Sequence, residues 1–257
     1  MSTSHSLSGK IALVTGGSRN IGKETALALA KHGADVIITY VNNAEAAQQT
    51  VSELEAHKAR AKALQVDLTG TQHIPAFKQT VASVLEEWTS EHLHILVNNA
   101  GIAHFAPFDQ VTEKDLDAIY NVNYKSVFFL TQAFSDLIAD GGRIINLGSG
   151  TATHVFAPLV SYGPLKAAIE QLTKYLAGFL GNRRITVNAV APGGLDNEFN
   201  AGLFQNMPQA RDYIASQTAV GRVGVSGDIG QVIAFLSSDE ASFISGSIIP
   251  VDGGFHL

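Results

Sequence analysis

The chain of 257 residues contains no cysteine. Disulfides, thiolate metal sites, iron–sulfur clusters and a cysteine nucleophile are excluded together, and every zinc-ribbon or thiol-enzyme reading falls with them. The cytosol is the expected compartment. Positive charge is scarce: 17 Lys and Arg stand against 23 Asp and Glu, a net charge of −6, with no basic run. Binding to nucleic acid or anionic lipid needs clustered positive charge, so neither a nucleic-acid nor a membrane partner is expected. Long apolar runs are missing too; stretches such as 127–130 and 36–38 fall far short of the ~18 residues a membrane span requires. Residues 1–9 are polar and carry no basic or apolar segment of a signal peptide, and read as a flexible leader. No Pro/Ser-rich linker, charge run or internal repeat divides the chain, which predicts one domain over 1–257. The single tryptophan, Trp88, falls at a helix end among polar neighbours.

What is present is 46% apolar residues and 24 glycines. Short β-branched runs at 11–15, 35–40, 62–66, 93–98, 143–147, 185–190 and 247–251 are mostly continuously apolar, as strands covered on both faces should be. Helical patterns lie between them at 21–32, 44–60, 71–90, 115–139 (broken near Asn121), 162–180 and 228–237. Such βαβα alternation predicts an α/β protein with a parallel sheet of about seven strands and helices on both faces. One stretch, 193–224, does not fit. It holds an amphipathic segment at 199–213 but no strand, and an insertion beside a strand's carboxyl end is commonly functional; we expect residues 194–221 to form a substrate lid. Its Phe199, Leu203, Phe204, Met207 and Tyr213, with few charges, point to a medium-sized, largely apolar small molecule.

The first strand runs into Thr15-Gly16-Gly17-Ser18-Arg19-Asn20-Ile21-Gly22 and straight on into a helix. A glycine-rich turn in that place lets the backbone approach a pyrophosphate, whose charge meets the positive helix N-terminus. Tyr162-Gly163-Pro164-Leu165-Lys166 sets a phenol and an ammonium at i and i+4 on one helix face. A free phenol, with a pKa of ~10, is a poor proton donor and acceptor near neutrality, and an adjacent cation lowers it by about 1–3.

With these motifs the chain resembles the short-chain dehydrogenase/reductase family, and in general pattern its 3-oxoacyl-carrier-protein reductase-like members. The family fingerprint T-G-x-x-x-G-x-G is met at Gly16 and Gly22, but Asn20 replaces its middle glycine; asparagine tolerates the left-handed backbone better than other side chains. Asp67 follows the third strand, Asn98-Asn99-Ala100-Gly101 the fourth, Pro192-Gly193 the sixth, and Val251-Asp252-Gly253-Gly254 stands near the C-terminus. The likeness covers nearly the whole chain. It implies a Rossmann-type doubly wound fold and a nicotinamide dinucleotide held by Gly16, Ser18, Arg19, Asn20, Ile21, Gly22, Tyr40, Asn42, Asn43, Asp67, Leu68, Asn99, Ala100, Gly101, Tyr162, Lys166, Pro192, Gly193, Leu195 and Asn197. It also implies hydride transfer between the nicotinamide and a carbonyl or secondary alcohol. In that scheme Tyr162 exchanges the proton and Ser149, 13 residues earlier, steadies the substrate oxygen. Lys166 lowers the phenol pKa and holds the ribose, and Asn123 sustains a proton relay. Asn197 stands where the family often has a threonine for the nicotinamide amide, and can still donate and accept. Pro164 fits a regular helix only in its first turn, which predicts a start near Ser161.

NAD-selective members of this fold end strand two with an acid. Here the place is Tyr40, followed by Val41, Asn42 and Asn43, while Arg19 suits a 2′-phosphate; NADP(H) is therefore expected over NAD(H). His92 and His94 have no third ligand at metal-site spacing, so no metal is expected. Helix 124–138 is apolar nearly all round, which predicts burial on two sides, either deep in the monomer or against other subunits of a homo-oligomer, as in the family's usual tetramers. The rival reading is a catalytically silent NADP(H)-binding sensor or scaffold; an intact Asn123, Ser149, Tyr162 and Lys166 speak against it, since a sensor has no use for a tuned phenol.

Overall fold

A computed structural model describes residues 6–207, 209–255 and 257. Seven strands form one parallel sheet: β1 (Ile11–Val14), β2 (Asp35–Tyr40), β3 (Ala61–Gln65), β4 (Leu93–Asn98), β5 (Ile138–Leu147), β6 (Thr186–Pro192) and β7 (Ile248–Val251). They lie in the order β3-β2-β1-β4-β5-β6-β7, with Leu13 in register with Ile37 on one side and Leu96 on the other. The order reverses between β1 and β4, and their carboxyl ends open the crevice in which such sheets bind ligands.

Helices α1 (Asn20–Lys31), α2 (Ala44–Ala56) and α9 (Ser226–Leu236) cover one face, where Ala12, Val14, Ile38 and Val97 meet Leu29, Leu54 and Ile233. On the other face α3 (Ile74–Glu87) and α5 (Ser126–Phe134) pack Phe77, Val81 and Phe134 against Leu13, Leu96 and Ile144. Alternate strand residues thus feed two separate cores, which is why the strands read as continuously apolar. The helix α4 (Glu113–Tyr120) starts on a capping box in which Thr112 accepts the Asp115 N–H. It continues through a π-helical turn, Asn121–Lys125, into α5; the predicted break near Asn121 is this turn. Helix α6 (Gly163–Leu180) packs Ile169 and Leu172 against Val127 of α5.

Several expectations need correction. The helix predicted to reach 139 ends at Phe134, and Ile138 already opens β5, four residues after the helix and five before the strand start expected at 143. The apolar run 137–138 belongs to the core whichever element carries it, so periodicity could not place the boundary. In the single chain Val127, Leu130 and Phe134 of α5 are inside while Phe129 is 40% exposed, so of the two alternatives for this helix it is burial deep in the monomer that does not hold. The 199–213 segment is a short turn at Glu198–Asn200 followed by two helices, α7 (Ala201–Asn206) and α8 (Ala210–Gln217); Pro208, between them, lies outside the described residues. Residues 1–5 of the expected leader also lie outside them, but Leu7 is fully buried and its N–H donates to the His32 carbonyl at 3.0 Å, so the leader does not extend to residue 9. Trp88 is buried, with the Arg60 guanidinium 5.2 Å from its ring. His94 accepts the Ile11 N–H at 3.1 Å through Nδ1, and burial lowers its pKa. Among the described residues no group of three His, Asp or Glu could hold a metal ion, and no helix is long and apolar enough to cross a membrane.

Candidate active site

The glycine loop sits at the carboxyl end of β1, tied to the strands on either side. The Gly16 N–H donates to the Thr39 hydroxyl at 3.0 Å and the Gly17 N–H to the Thr39 carbonyl at 2.9 Å. From β4, Asn99 donates through Nδ2 to the Thr15 and Gly16 carbonyls at 2.8 and 3.1 Å. The Thr15 hydroxyl accepts the N–H groups of Asn99 and Ala100, each at 3.0 Å. A Cβ on Gly22 would lie 2.1 Å from the Gly16 carbonyl oxygen, so only glycine lets the first turn of α1 close under the loop. Asn20 adopts a left-handed φ of 51°, the conformation its side chain was expected to tolerate. This cradle, at the crossing point of the sheet and against a helix N-terminus, fits a dinucleotide pyrophosphate.

Around it the predicted binding residues gather, several with structural duties of their own. Asn43 caps α2, accepting the Ala46 N–H at 2.9 Å, and Asp67 accepts the Thr69 N–H at 2.8 Å. Tyr40 ends β2 with Asn42 exposed just beyond it, and Leu68 is buried beside Asp67. Pro192 ends β6, Gly193 abuts Asp252, and Leu195 is buried in a bridge to Gly224. Asn197 accepts the Asn200 N–H at 3.2 Å, which leaves its NH₂ group as a donor. Arg19 places Nη1 3.7 Å from a Glu198 carboxylate oxygen, both side chains being about 70% exposed at 73% and 70%.

Beside this cradle the candidate catalytic groups converge from three elements. Tyr162 caps α6, whose first residue is Gly163, and Pro164 is in the first turn. The expected start near Ser161 is met, and the N–H that proline lacks would have had little to do there. Ser149, after β5, is close enough to the Tyr162 phenol to lower its pKa, and its hydroxyl lies 2.8 Å from that of Thr151. Lys166 is buried, with Nζ 5.4 Å from the centre of the Tyr162 ring and donating to the Leu147 carbonyl at 2.8 Å. On the π-turn, Asn123 donates through Nδ2 to the carbonyls of Ile102 and Ile119, at 2.8 and 3.0 Å, while its buried Oδ1 has no protein partner. A Cβ on Gly101 would lie 2.8 Å from that oxygen and 3.8 Å from Lys166 Nζ, so glycine there keeps the amide and the ammonium in one chamber. A buried acceptor without a protein partner, on the far side of Gly101 from a buried cation, suits a relay through bound hydroxyl groups or water.

The electrostatics depart from the expectation. Burial raises the Tyr162 phenol well above its ordinary value, and the nearby Ser149 lowers it only in part. The cation expected to lower it is itself desolvated: burial brings Lys166 down to about 8, against the raising influence of Glu170. Desolvation thus outweighs the neighbouring charge in the protein alone. Sequence reasoning missed Glu170, one turn beyond Lys166 on α6. Its carboxylate lies 3.5 Å from the Ser149 N–H, and burial raises its pKa. The i+4 spacing from Lys166 was the available signal. Phe199, expected as a lid residue, has its ring centre 6.2 Å from that of Tyr162, a contact the sequence did not indicate.

The comparisons with known proteins agree with this geometry. The family described as Enoyl-(Acyl carrier protein) reductase matches residues 16–256. The chain is 36% identical over 263 residues to hydroxynaphthalene reductase-like protein Arp2 of Metarhizium brunneum (strain ARSEF 3297), covering 98% of this chain and 97% of that one. It is 35% identical over 264 residues to versicolorin reductase 1 of Aspergillus parasiticus (strain ATCC 56775 / NRRL 5862 / SRRC 143 / SU-1), covering 99% of each. Among solved structures, the angucycline C-6 ketoreductase LanV with bound NADP superposes with a TM-score of 0.93 at 38% identity, over 98% of this chain and 97% of that one. A full-length match to reductases, on a sheet whose crossing point carries a glycine-rich cradle beside a buried phenol and ammonium, means that the chain is an oxidoreductase belonging to the short-chain dehydrogenase/reductase family.

Proposed function

We propose that the protein is an NADP(H)-dependent reductase of medium-sized, largely apolar ketones, running hydride transfer with Tyr162 as the proton donor and acceptor. The observation that carries the reading is the convergence of Ser149 and the buried Lys166 on Tyr162, with Lys166 Nζ 5.4 Å from the Tyr162 ring centre and the Phe199 ring centre 6.2 Å from it. Exposed Val155 and partly exposed Ile102, Phe105, Phe156, Phe199 and Met207 all come from segments that follow the carboxyl ends of β4, β5 and β6, and would form an apolar rim to the site. Such a rim suits a flat or fused-ring carbonyl compound better than a sugar. The likeness to LanV, an angucycline C-6 ketoreductase, supports this. The segment 194–221 is read as the lid over this rim.

The loop from Gly16 to Gly22 would hold the pyrophosphate, with Asp67 and Leu68 at the adenine and Tyr40, Asn42 and Asn43 at its ribose. Asn99, Ala100, Gly101, Lys166, Pro192, Gly193, Leu195 and Asn197 would line the nicotinamide end. Bound there, the nicotinamide supplies or accepts the hydride. The protein's part is orientation and proton handling. The Ser149 hydroxyl and the Tyr162 O–H both donate to the substrate oxygen as negative charge develops on it, a stabilisation strengthened by the dry site. Tyr162 then releases its proton to that oxygen. The high phenol pKa favours a protonated donor ready for ketone reduction, and the Lys166 cation steadies the phenolate left behind. Asn123, through its unpartnered Oδ1, anchors the return path of the proton.

NADP(H) preference is supported by the missing acid at Tyr40 and by Arg19, which sits 3.7 Å from the Glu198 carboxylate and can turn to a 2′-phosphate. The outward Phe129, Tyr120, Tyr175 and Phe179 of α4 to α6 support a homo-oligomer, most simply a tetramer, in which another copy covers them. The test is a turnover screen of ring ketones, aliphatic ketones, aldehydes, sugars and acyl thioesters with NADPH and NADH. Ring ketones with NADPH are expected to lead. Turnover confined to sugars, or a preference for NADH, would overturn the reading.

A further inference from the structure

Asn20 is the residue of the glycine loop that departs from the family pattern, and the chemistry above leaves its side chain without a task. At φ 51° glycine would sit with less strain, so the side chain needs a reason of its own. Its Oδ1 accepts the N–H of Glu198 at 3.2 Å, 178 positions further along the chain. Glu198 opens the first turn of the lid, Glu198–Asn200, where the leading N–H groups precede any carbonyl of the turn. The Asn200 N–H donates to the carbonyl and the Oδ1 of Asn197, at 3.1 and 3.2 Å, whereas Asn20 caps that of Glu198 from a different part of the fold. The next residue, Phe199, rests against the ring of Tyr162. A single side chain therefore joins the phosphate loop to the part of the lid that covers the phenol. The Arg19–Glu198 pair runs alongside, but at 3.7 Å between exposed groups it adds little.

We infer that Asn20 is a positioning residue: it fastens the first turn of the lid to the phosphate loop and so holds Phe199 over Tyr162. The inference rests on the reading of 194–221 as a substrate lid and of the chain as a ketoreductase. Substrate capture is then set partly from the cofactor loop, through a bond that a glycine at this position cannot make.

Two substitutions cut the same bond from opposite ends. Asn20→Gly removes the acceptor and relieves the left-handed backbone. Glu198→Pro removes the donor at a first-turn position that accepts proline, after an Asn197 that is already extended at φ −154° and ψ 174°. Limited trypsin cleavage at Arg211, in α8, reads lid opening without any substrate, and steady-state kinetics with the best ketone of the screen read capture. Each variant should be cut about five-fold faster and show a KM about five-fold higher, the effect of one hydrogen bond. The change in kcat should be smaller, and the melting temperature of Asn20→Gly should be no lower than the parent's. The double variant should add nothing further, and Glu198→Gln, which loses only the ion pair, should be cut at close to the parent rate. Parent-like cleavage and KM in both variants would overturn the inference. If the parent reduces no carbonyl compound, the ketoreductase reading falls and the cleavage arm alone decides the latch.

Discussion

Replacing Lys166 by methionine removes the buried ammonium while keeping a side chain of similar length. Burial lowers this group from 10.5 to about 8, and at about 1.4 kcal/mol per factor of ten that difference disfavours the charged native state by about 3 kcal/mol at neutral pH. Against this, the Leu147 carbonyl loses the donor it holds at 2.8 Å, and a buried acceptor left unpaired costs about 1–3 kcal/mol. Lys166→Met should therefore be as stable as the parent at pH 7, or more stable by up to about 2 kcal/mol. The pH dependence carries the sharper signature. Between about 8 and 10.5 the native lysine has released its proton while the unfolded one keeps it, so the unfolded state binds more protons and parental stability rises with pH. The variant lacks that rise, and its relative advantage should shrink by about 3 kcal/mol across the interval. Urea unfolding of both proteins at pH 7, 8.5 and 10 measures this directly, since other titrating groups cancel in the difference. A variant several kcal/mol weaker at pH 7, or two stability curves that stay parallel, would mean that the Lys166 ammonium is not destabilised by burial. Turnover in the same variant should fall by at least about 100-fold, a gain in stability at the expense of function.

Three further outcomes follow from the geometry. Gly22→Ala drives a Cβ to 2.1 Å from the Gly16 carbonyl and should weaken NADPH binding by at least about tenfold in calorimetric titration, since backbone must shift at the phosphate loop. Pro164→Ala, in the first turn of α6, should be nearly neutral in thermal unfolding and keep kcat within about tenfold, or ~1.4 kcal/mol of barrier; a large loss would mean that the proline sets the angle of Tyr162. Light scattering at micromolar concentration should return an oligomer, and Phe179→Glu, at a side chain 78% exposed in the single chain, should lower its mass.

The frame of the fold was legible because buried parallel strands write themselves as apolar runs: β2 and β4 fall at the predicted residues. Boundaries were lost where an apolar run served two elements, as around Ile138, or where a polar stretch hid an anchor, as with Leu7. In the site, Ser149, Tyr162, Lys166 and Asn123 were named from spacing and family likeness, and the fold brings them together. What could not be read was their electrostatic state. Spacing shows that Lys166 neighbours Tyr162 but not that both are desolvated, and burial reverses the expected direction of the phenol shift. Contacts between distant segments were equally silent: nothing in the sequence joins Asn20 to Glu198 or Phe199 to Tyr162.

If Tyr162 moves the proton in a dinucleotide-dependent reduction, Tyr162→Phe should separate binding from turnover. The substitution deletes one oxygen and leaves the ring against Phe199. Calorimetric titration with NADPH and ketone turnover should be measured on the same preparation. The dissociation constant should stay within about threefold of the parent's and kcat should fall by at least about 100-fold, the usual contribution of a positioned acid or base. A phenylalanine variant that binds NADPH and still reduces the ketone within tenfold of the parent rate would contradict that role for Tyr162.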